Sequence, residues 1–273
     1  MRLQSLVNPA IRPLTSVIGA EITGIDLART STSDIEFVSK ALLEHKVLFF
    51  RDQELDDRAH ADFATHFGVP QLFAFLPPVG EDAPEVHALS SGGTKPKRSN
   101  ADIWHSDATF QATPPMGSIL RSLVSPTVGG DTLWANMEAA YEALSPRLQE
   151  MLDGMTATHD FKNSSTHRNH PLGDVYPPIS HPVVRTHPVT GRKSLYVNRT
   201  FTTRIDGLSE RENEMLLPFL CDHVRGPEFQ CRFTWSAGSV AFWDNRSTQH
   251  YAVADYTQPR LMHRVVIDGD RPF

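Results

Sequence analysis

The chain has 273 residues, 40% of them hydrophobic and 21% charged, with 26 basic side chains against 32 acidic ones. A formal net charge of −6 argues against nucleic acid or an anionic membrane as the main partner. No stretch approaches the roughly 18 consecutive apolar residues of a membrane-spanning helix.

The first predicted element is a helix capped by Ser33, with Ile35, Val38, Leu42 and Leu43 on its apolar face. The run VLFF at Val47 to Phe50 then reads as a buried strand, and a second helix is predicted over 57–67, ending at Gly68. Residues 69–103, rich in Pro, Gly and Ser, read as long loops around one or two short strands. Beyond residue 104 short strands dominate, at 118–123, 132–134, 183–186, 194–197, 229–235, 239–243 and 261–267. Ser145-Pro146 opens a short helix that Gly154 ends. Ser209 and Glu212 have capping-box spacing ahead of a longer helix reaching about Val224, which Pro218 should kink or cut short. Many short strands with few helices predict a mainly β fold with helical additions, a sandwich or jelly roll. No repeat or composition break divides the chain, so residues 1–273 read as a single domain.

The N-terminal MRLQSLVNPAIRPL lacks the apolar core of a secretory signal. Cys221 and Cys231 make no disulfide framework and fit no metal-ligand spacing. A cytoplasmic protein is expected, in which the Asn-x-Ser/Thr sequons at Asn163, Asn198 and Asn245 would go unused.

Two His-x-Asp pairs occur, and chance alone supplies such pairs in a chain with 13 histidines. His60 and Asp62 lie in the second predicted helix, where residues two apart point in nearly opposite directions and cannot grip one ion. His105 and Asp107, in ADIWHSDATF, lie in an extended or loop context where they share a side. The competing reading is an ordinary hydrogen-bonded turn. His250, in WDNRSTQHYAVADY, follows the apolar strand SVAFW among polar residues, and taken alone it reads first as a surface-loop histidine. Two histidines and one carboxylate with open positions are the arrangement of a non-haem Fe(II) oxygenase, although zinc accepts the same set. In PRLMHRVVI, Arg260, Met262 and Arg264 share one strand face. Two arginines on a core-covering face are costly unless each meets an anion; on an edge strand they would simply be solvated.

WHSDATF, TPPMGSILRS, GGDTLWANMEAAYEALS, HPVVRTHPVTGRKSLYVN, FTTRI, WDNRSTQHYAVADY and RLMHRVVIDGD together closely resemble the taurine dioxygenase family of Fe(II)/2-oxoglutarate-dependent oxygenases, with its alkylsulfatase and aryloxyalkanoate dioxygenase relatives. The resemblance implies a double-stranded β-helix (jelly roll) with Fe(II) held by His105, Asp107 and His250. It implies 2-oxoglutarate and O2 as co-substrates, the distal carboxylate of 2-oxoglutarate on Arg260 and Thr132, and Arg264 facing the acidic group of a small-molecule substrate. A homo-oligomer, dimer or tetramer, is expected. Where taurine-specific members carry a sulfonate-binding histidine, the count falls on Phe73, and an expected asparagine is Ala101. Phe161 and Phe201 match aromatic positions lining the family's substrate pocket, although core packing is the commoner fate of Phe. These departures predict a greasier pocket than taurine needs, suited to a sulfonate, a sulfate ester or an aryloxy acid. A zinc hydrolase, a non-catalytic jelly-roll binding protein and taurine dioxygenase proper are the alternatives.

Overall fold

The computed structural model describes residues 8–72, 78–91, 100–164 and 167–273. Among them, seven strands form one sheet: β1 (Ala10–Pro13), β2 (Ala20–Thr23), β3 (Val47–Phe50), β4 (Val86–Ser91), β5 (Gly117–Val124), β13 (Val240–Asp244) and β15 (Arg260–Ile267). Its order is β1-β2-β3-β13-β5-β15-β4, antiparallel except for β2 against β3. A smaller sheet has β6 (Thr132–Asn136) between β12 (Gln230–Phe233) and β14 (Thr248–Ala252). Further strands are β7 (Thr156–His159), β8 (Ile179–Pro182) and β11 (Thr202–Ile205) in one group, and β9 (Val184–Thr186) with β10 (Lys193–Leu195) in another. The helices are α1 (Thr32–His45), α2 (Asp57–Thr65), α3 (Met137–Glu142), α4 (Pro146–Leu152) and α5 (Glu210–His223).

The large and small sheets face each other. Phe49 of β3 stacks on Phe233 of β12 at 4.1 Å and meets Trp134 of β6 edge-on at 5.2 Å. Trp134 in turn packs on Trp243 of β13 at 5.8 Å, and Met262 of β15 is buried in the same cluster. The opposite face of the large sheet is covered by α1 and α2, whose Val38, Leu42 and Phe63 pack with Leu48, Phe50, Ile119 and Phe242. VLFF is therefore buried on both faces, which explains its unbroken apolar run. Strand β15 alternates as its sequence requires. Met262 turns toward the facing sheet, whereas His263 turns to α2 and meets Asp57 at 2.6 Å.

Local signals mostly hold, with instructive exceptions. Ser31, not Ser33, caps α1: its hydroxyl accepts from the Asp34 amide while the Asp34 carboxylate accepts from the Ser31 amide. This is a capping box with Asp in place of Glu. Helix α2 ends at Thr65 rather than Phe67, although Phe63 and Phe67 still pack edge-on at 5.1 Å. The box at Ser209 and Glu212 forms as expected, but α5 runs through Pro218 to His223. The proline removes one backbone donor, whose place faces the exposed Glu214, while Leu220 and Cys221 beyond it are buried in the core. Burial outweighs the lost bond.

Strands β1, β2, β7, β8, β11 and β14 escaped the hydrophobic pattern. The consequential one is β14, because His250 is its third residue rather than part of a polar loop. Its buried side chains are polar and tied into the backbone around them: Thr248 Oγ1 donates to Asp244 O and Gln249 Nε2 to Val197 O. Asn198 and Asn245 of the sequons are buried, whereas Asn163 is exposed and donates to Thr200 O. No helix among the described residues is long and apolar enough to cross a membrane.

Candidate metal centre

The segment before Asp107 is extended and pairs with β14 at a single point. His105 and His250 stand directly opposite each other, exchanging both backbone hydrogen bonds (3.2 and 2.8 Å). Their rings consequently lie 4.2 Å apart, centre to centre. Ser106 points the other way and donates to Thr248 O at 2.7 Å, the alternation that an extended chain imposes. Asp107 then returns to the histidine side. Its Oδ1 is 3.8 Å from His105 Nε2 and 3.9 Å from His250 Nε2. All three side chains are buried, and their ligand atoms lie within 4.8 Å of one another. An ion with bonds of about 2.0–2.2 Å reaches donors at such spacings.

The donor set also has the right protonation. His105 Nδ1 donates to Ile103 O at 2.7 Å, so the lone pair of Nε2 faces the site. Burial lowers both imidazole pKa values, that of His250 to about 3. Burial alone would raise the Asp107 carboxyl, but Arg264, His250, His105 and Ser118 outweigh it and hold the group below the ordinary carboxylate value. Neutral histidines beside an ionised aspartate are what a divalent metal requires. Asp107 divides its two oxygens between tasks. Oδ1 faces the histidines, while Oδ2 lies 3.3 Å from both Ser118 Oγ and Arg264 Nη2.

By contrast, His60 is buried in α2 with Nε2 on Ile119 O, while Asp62 is exposed and pairs with Arg58. The helical pair is separated, as the residue spacing requires.

Arg260 and Thr132 come from different sheets and meet around Trp235, a residue the sequence pattern did not single out. The Trp235 indole donates to Thr132 Oγ1 at 3.0 Å, and the Arg260 guanidinium lies 6.0 Å from both the Trp235 and Tyr256 rings. Arg260 Nε is buried without a hydrogen-bond partner, and no carboxylate among the described residues forms an ion pair with this side chain. A desolvated guanidinium of this kind calls for an anion.

Phe161 and Phe201 are buried with Phe110 and Ala108, two phenylalanine rings each meeting Phe110 at 4.9 Å. Ala108 follows Asp107 directly, so this aromatic wall adjoins the triad. Ala101 is exposed in a short 3-10 turn, and Phe73 lies outside the described residues.

Comparison with known proteins adds four findings. Residues 10–266 match the family model described as taurine catabolism dioxygenase, TauD, TfdA family. Over 96% of its length the chain is 40% identical to an alpha-ketoglutarate-dependent sulfate ester dioxygenase of Pseudomonas putida, of which it covers 90%. An alkylsulfatase of Acinetobacter baylyi is also 40% identical, with 95% of this chain and 85% of that protein covered. Among solved structures, a taurine dioxygenase from Burkholderia xenovorans superposes with a TM-score of 0.84 at 39% identity, covering 97% of this chain and 90% of that one.

Proposed function

Because the chain belongs to the taurine catabolism dioxygenase (TauD, TfdA) family, we propose that it hydroxylates a small acidic organic substrate, with a sulfate ester or sulfonate of substantial apolar body as the best fit. It is an Fe(II)/2-oxoglutarate-dependent dioxygenase, an oxidoreductase that uses O2 and forms succinate and CO2. The zinc-hydrolase and non-catalytic readings fall with that membership. The two facing sheets support a double-stranded β-helix, or jelly roll, and the match over residues 10–266 supports a single domain over 1–273.

The observation that carries the site assignment is the buried His105–Asp107–His250 triad, and beside it stands the half-buried Arg260, whose Nε has no hydrogen-bond partner. In this reading the three side chains hold Fe(II), which supplies the activation of O2 coupled to oxidation of 2-oxoglutarate. Arg260 and Thr132 hold the distal carboxylate of 2-oxoglutarate, and the Trp235 indole orients the Thr132 hydroxyl. Arg264 holds Asp107 Oδ2 and presents a fork to the acidic head of the substrate. Phe110, Phe161 and Phe201 exclude water beside the triad and line the route for hydrocarbon. Hydroxylation of a carbon bearing a sulfate-ester oxygen gives an adduct that collapses to an aldehyde and sulfate.

The two arginines should separate kinetically. Arg260→Ala is expected to weaken 2-oxoglutarate roughly ten- to hundredfold, the value of a charge-assisted hydrogen bond of ~1.5–3 kcal/mol, and to spare the primary substrate. Arg264→Ala should do the reverse. Steady-state KM values for each substrate check this, and equal damage to both from either change would refute the division.

Taurine is small, zwitterionic and strongly hydrated, so an aromatic wall returns little of its lost hydration. Each buried methylene contributes about 0.8 kcal/mol, so two or three more correspond to roughly ten- to sixtyfold. A medium-chain alkyl sulfate should therefore exceed taurine in kcat/KM when both compete for limiting enzyme, read as succinate formed and O2 consumed. A win for taurine would make this chain a taurine dioxygenase proper.

A further inference from the structure

We infer that Asn245 is a positioning residue for the metal centre, clamping the backbone of the carboxylate ligand onto the connection that leads into the strand carrying the second histidine. The inference rests on the metal-centre reading above and adds to it a side chain that touches no ligand atom. Asn245 is fully buried immediately after β13 and three residues before β14 begins. Its Oδ1 accepts from the Asp107 amide at 2.7 Å, and its Nδ2 donates to the Asp107 carbonyl at 3.1 Å. The same Nδ2 donates a second bond, to Pro115 O at 3.1 Å, and the Asn245 amide donates to Met116 O at 2.9 Å. Both polar backbone groups of Asp107 are therefore gripped by one side chain 138 residues away in sequence.

The need for such a clamp is visible in the next residue. Ala108 has φ +48°, a left-handed conformation that a residue with a Cβ adopts at a cost. Left to itself, this turn would relax and swing the Asp107 carboxylate away from the histidines. Asn245 holds it from one side, and Thr109 is held from the other, by His159 and Asn198 on its hydroxyl. The Asn245 clamp also fixes the distance between two ligand-bearing segments, because the connection from β13 to β14 to which it belongs leads directly to His250. Only an amide of this length offers an acceptor and two donors in this geometry. Aspartate, nearly the same shape, would set a carboxylate oxygen against the Asp107 and Pro115 carbonyls.

The test compares Asn245→Asp with Asn213→Asp. Asn213 grips the backbone of Ile205 in the same way, accepting from its amide at 2.6 Å and donating to its carbonyl at 3.1 Å, but it lies in α5, away from the triad. Both substitutions thus damage an equivalent clamp, and a purely structural role would make them alike. The readouts are thermal midpoint and Mn(II) affinity, the latter by counting free Mn(II) with electron paramagnetic resonance. Asn245→Asp should lose at least about tenfold in Mn(II) affinity, the usual effect of removing a group that orients a ligand, while Asn213→Asp stays within about twofold of the unsubstituted protein. Asn245→Ala, which opposes no carbonyl, carries the same comparison if the Asp variant is not recovered folded. Unchanged affinity in the folded Asn245 variants, or an equal loss in Asn213→Asp, would overturn the positioning role. An unsubstituted protein that bound no Mn(II) would instead overturn the metal-centre reading itself.

Discussion

Asp107→Ala should leave the protein unable to form the visible charge-transfer band that anaerobic Fe(II) and 2-oxoglutarate give in the unsubstituted enzyme, and turnover should vanish with it. The expected loss follows from what the carboxylate balances. Asp107 is buried beside two neutral histidines and the Arg264 guanidinium. Without it a dication would have to enter next to an uncompensated cation. Removing one partner from a buried charge set costs about 3–5 kcal/mol, or roughly two to four decades of metal affinity. His105→Ala should match this result, since it deletes the triad imidazole whose tautomer is fixed by the Ile103 carbonyl. His60→Ala should lower thermal stability by removing the bond to Ile119, yet keep the band. If the His60 variant lost the band while the His105 variant retained it, the choice between the two His-x-Asp pairs would be wrong.

The largest effect on stability is expected at Asp244. Its carboxylate accepts from Arg246 Nε at 2.9 Å and Nη2 at 2.7 Å, from the Arg246 amide at 3.0 Å, and from His187 Nε2 at 3.0 Å. Burial would push the carboxyl up, but these partners more than reverse it and hold it well below the ordinary carboxylate value. Asp244→Asn leaves Arg246 buried with much less compensation, which should cost about 3–5 kcal/mol at neutral pH. A carboxyl whose folded pKa is depressed stabilises fully above its unfolded value, near 3.9, and loses that contribution as pH falls toward its folded value. The stability gap between the two proteins should therefore be constant from about pH 7 to pH 5 and narrow only below about pH 4. Urea denaturation across that range measures it. Equal stability at pH 7 would mean that the cluster contributes nothing net.

How much of this was legible in the sequence depended on what each residue does for its neighbours. The caps at Ser145 and Ser209 and the apolar strands could be read because their signals are local. The triad was legible for a different reason: His105 and Asp107 are two apart in an extended segment, and the resemblance supplied His250. What stayed hidden was structure made by polar residues. Strand β14 buries Thr248 and Gln249, and Asn245 reads in the sequence as an unremarkable sequon. Trp235 showed only as the end of an apolar strand, because its bond to Thr132 crosses between elements distant in the chain. Pro218 misled because a local penalty was set against a burial term that the sequence window does not contain.

The single-point pairing of His105 with His250 also bears on the order of events during folding. The segment carrying His105 and Asp107 precedes β14 by just over half the chain, so closing that loop exacts its entropic cost before any ion can be gripped. Contacts of such long range place the fold among slow, topology-limited folders rather than rapid helical ones. Metal therefore cannot nucleate this protein in the way that zinc nucleates a finger. A nascent chain that has emerged only as far as β13 carries His105 and Asp107 of the triad, and it completes the triad when β14 docks along β6. On the proposed metal-centre reading loading is a late step, because an incompletely synthesised chain lacks the complete triad.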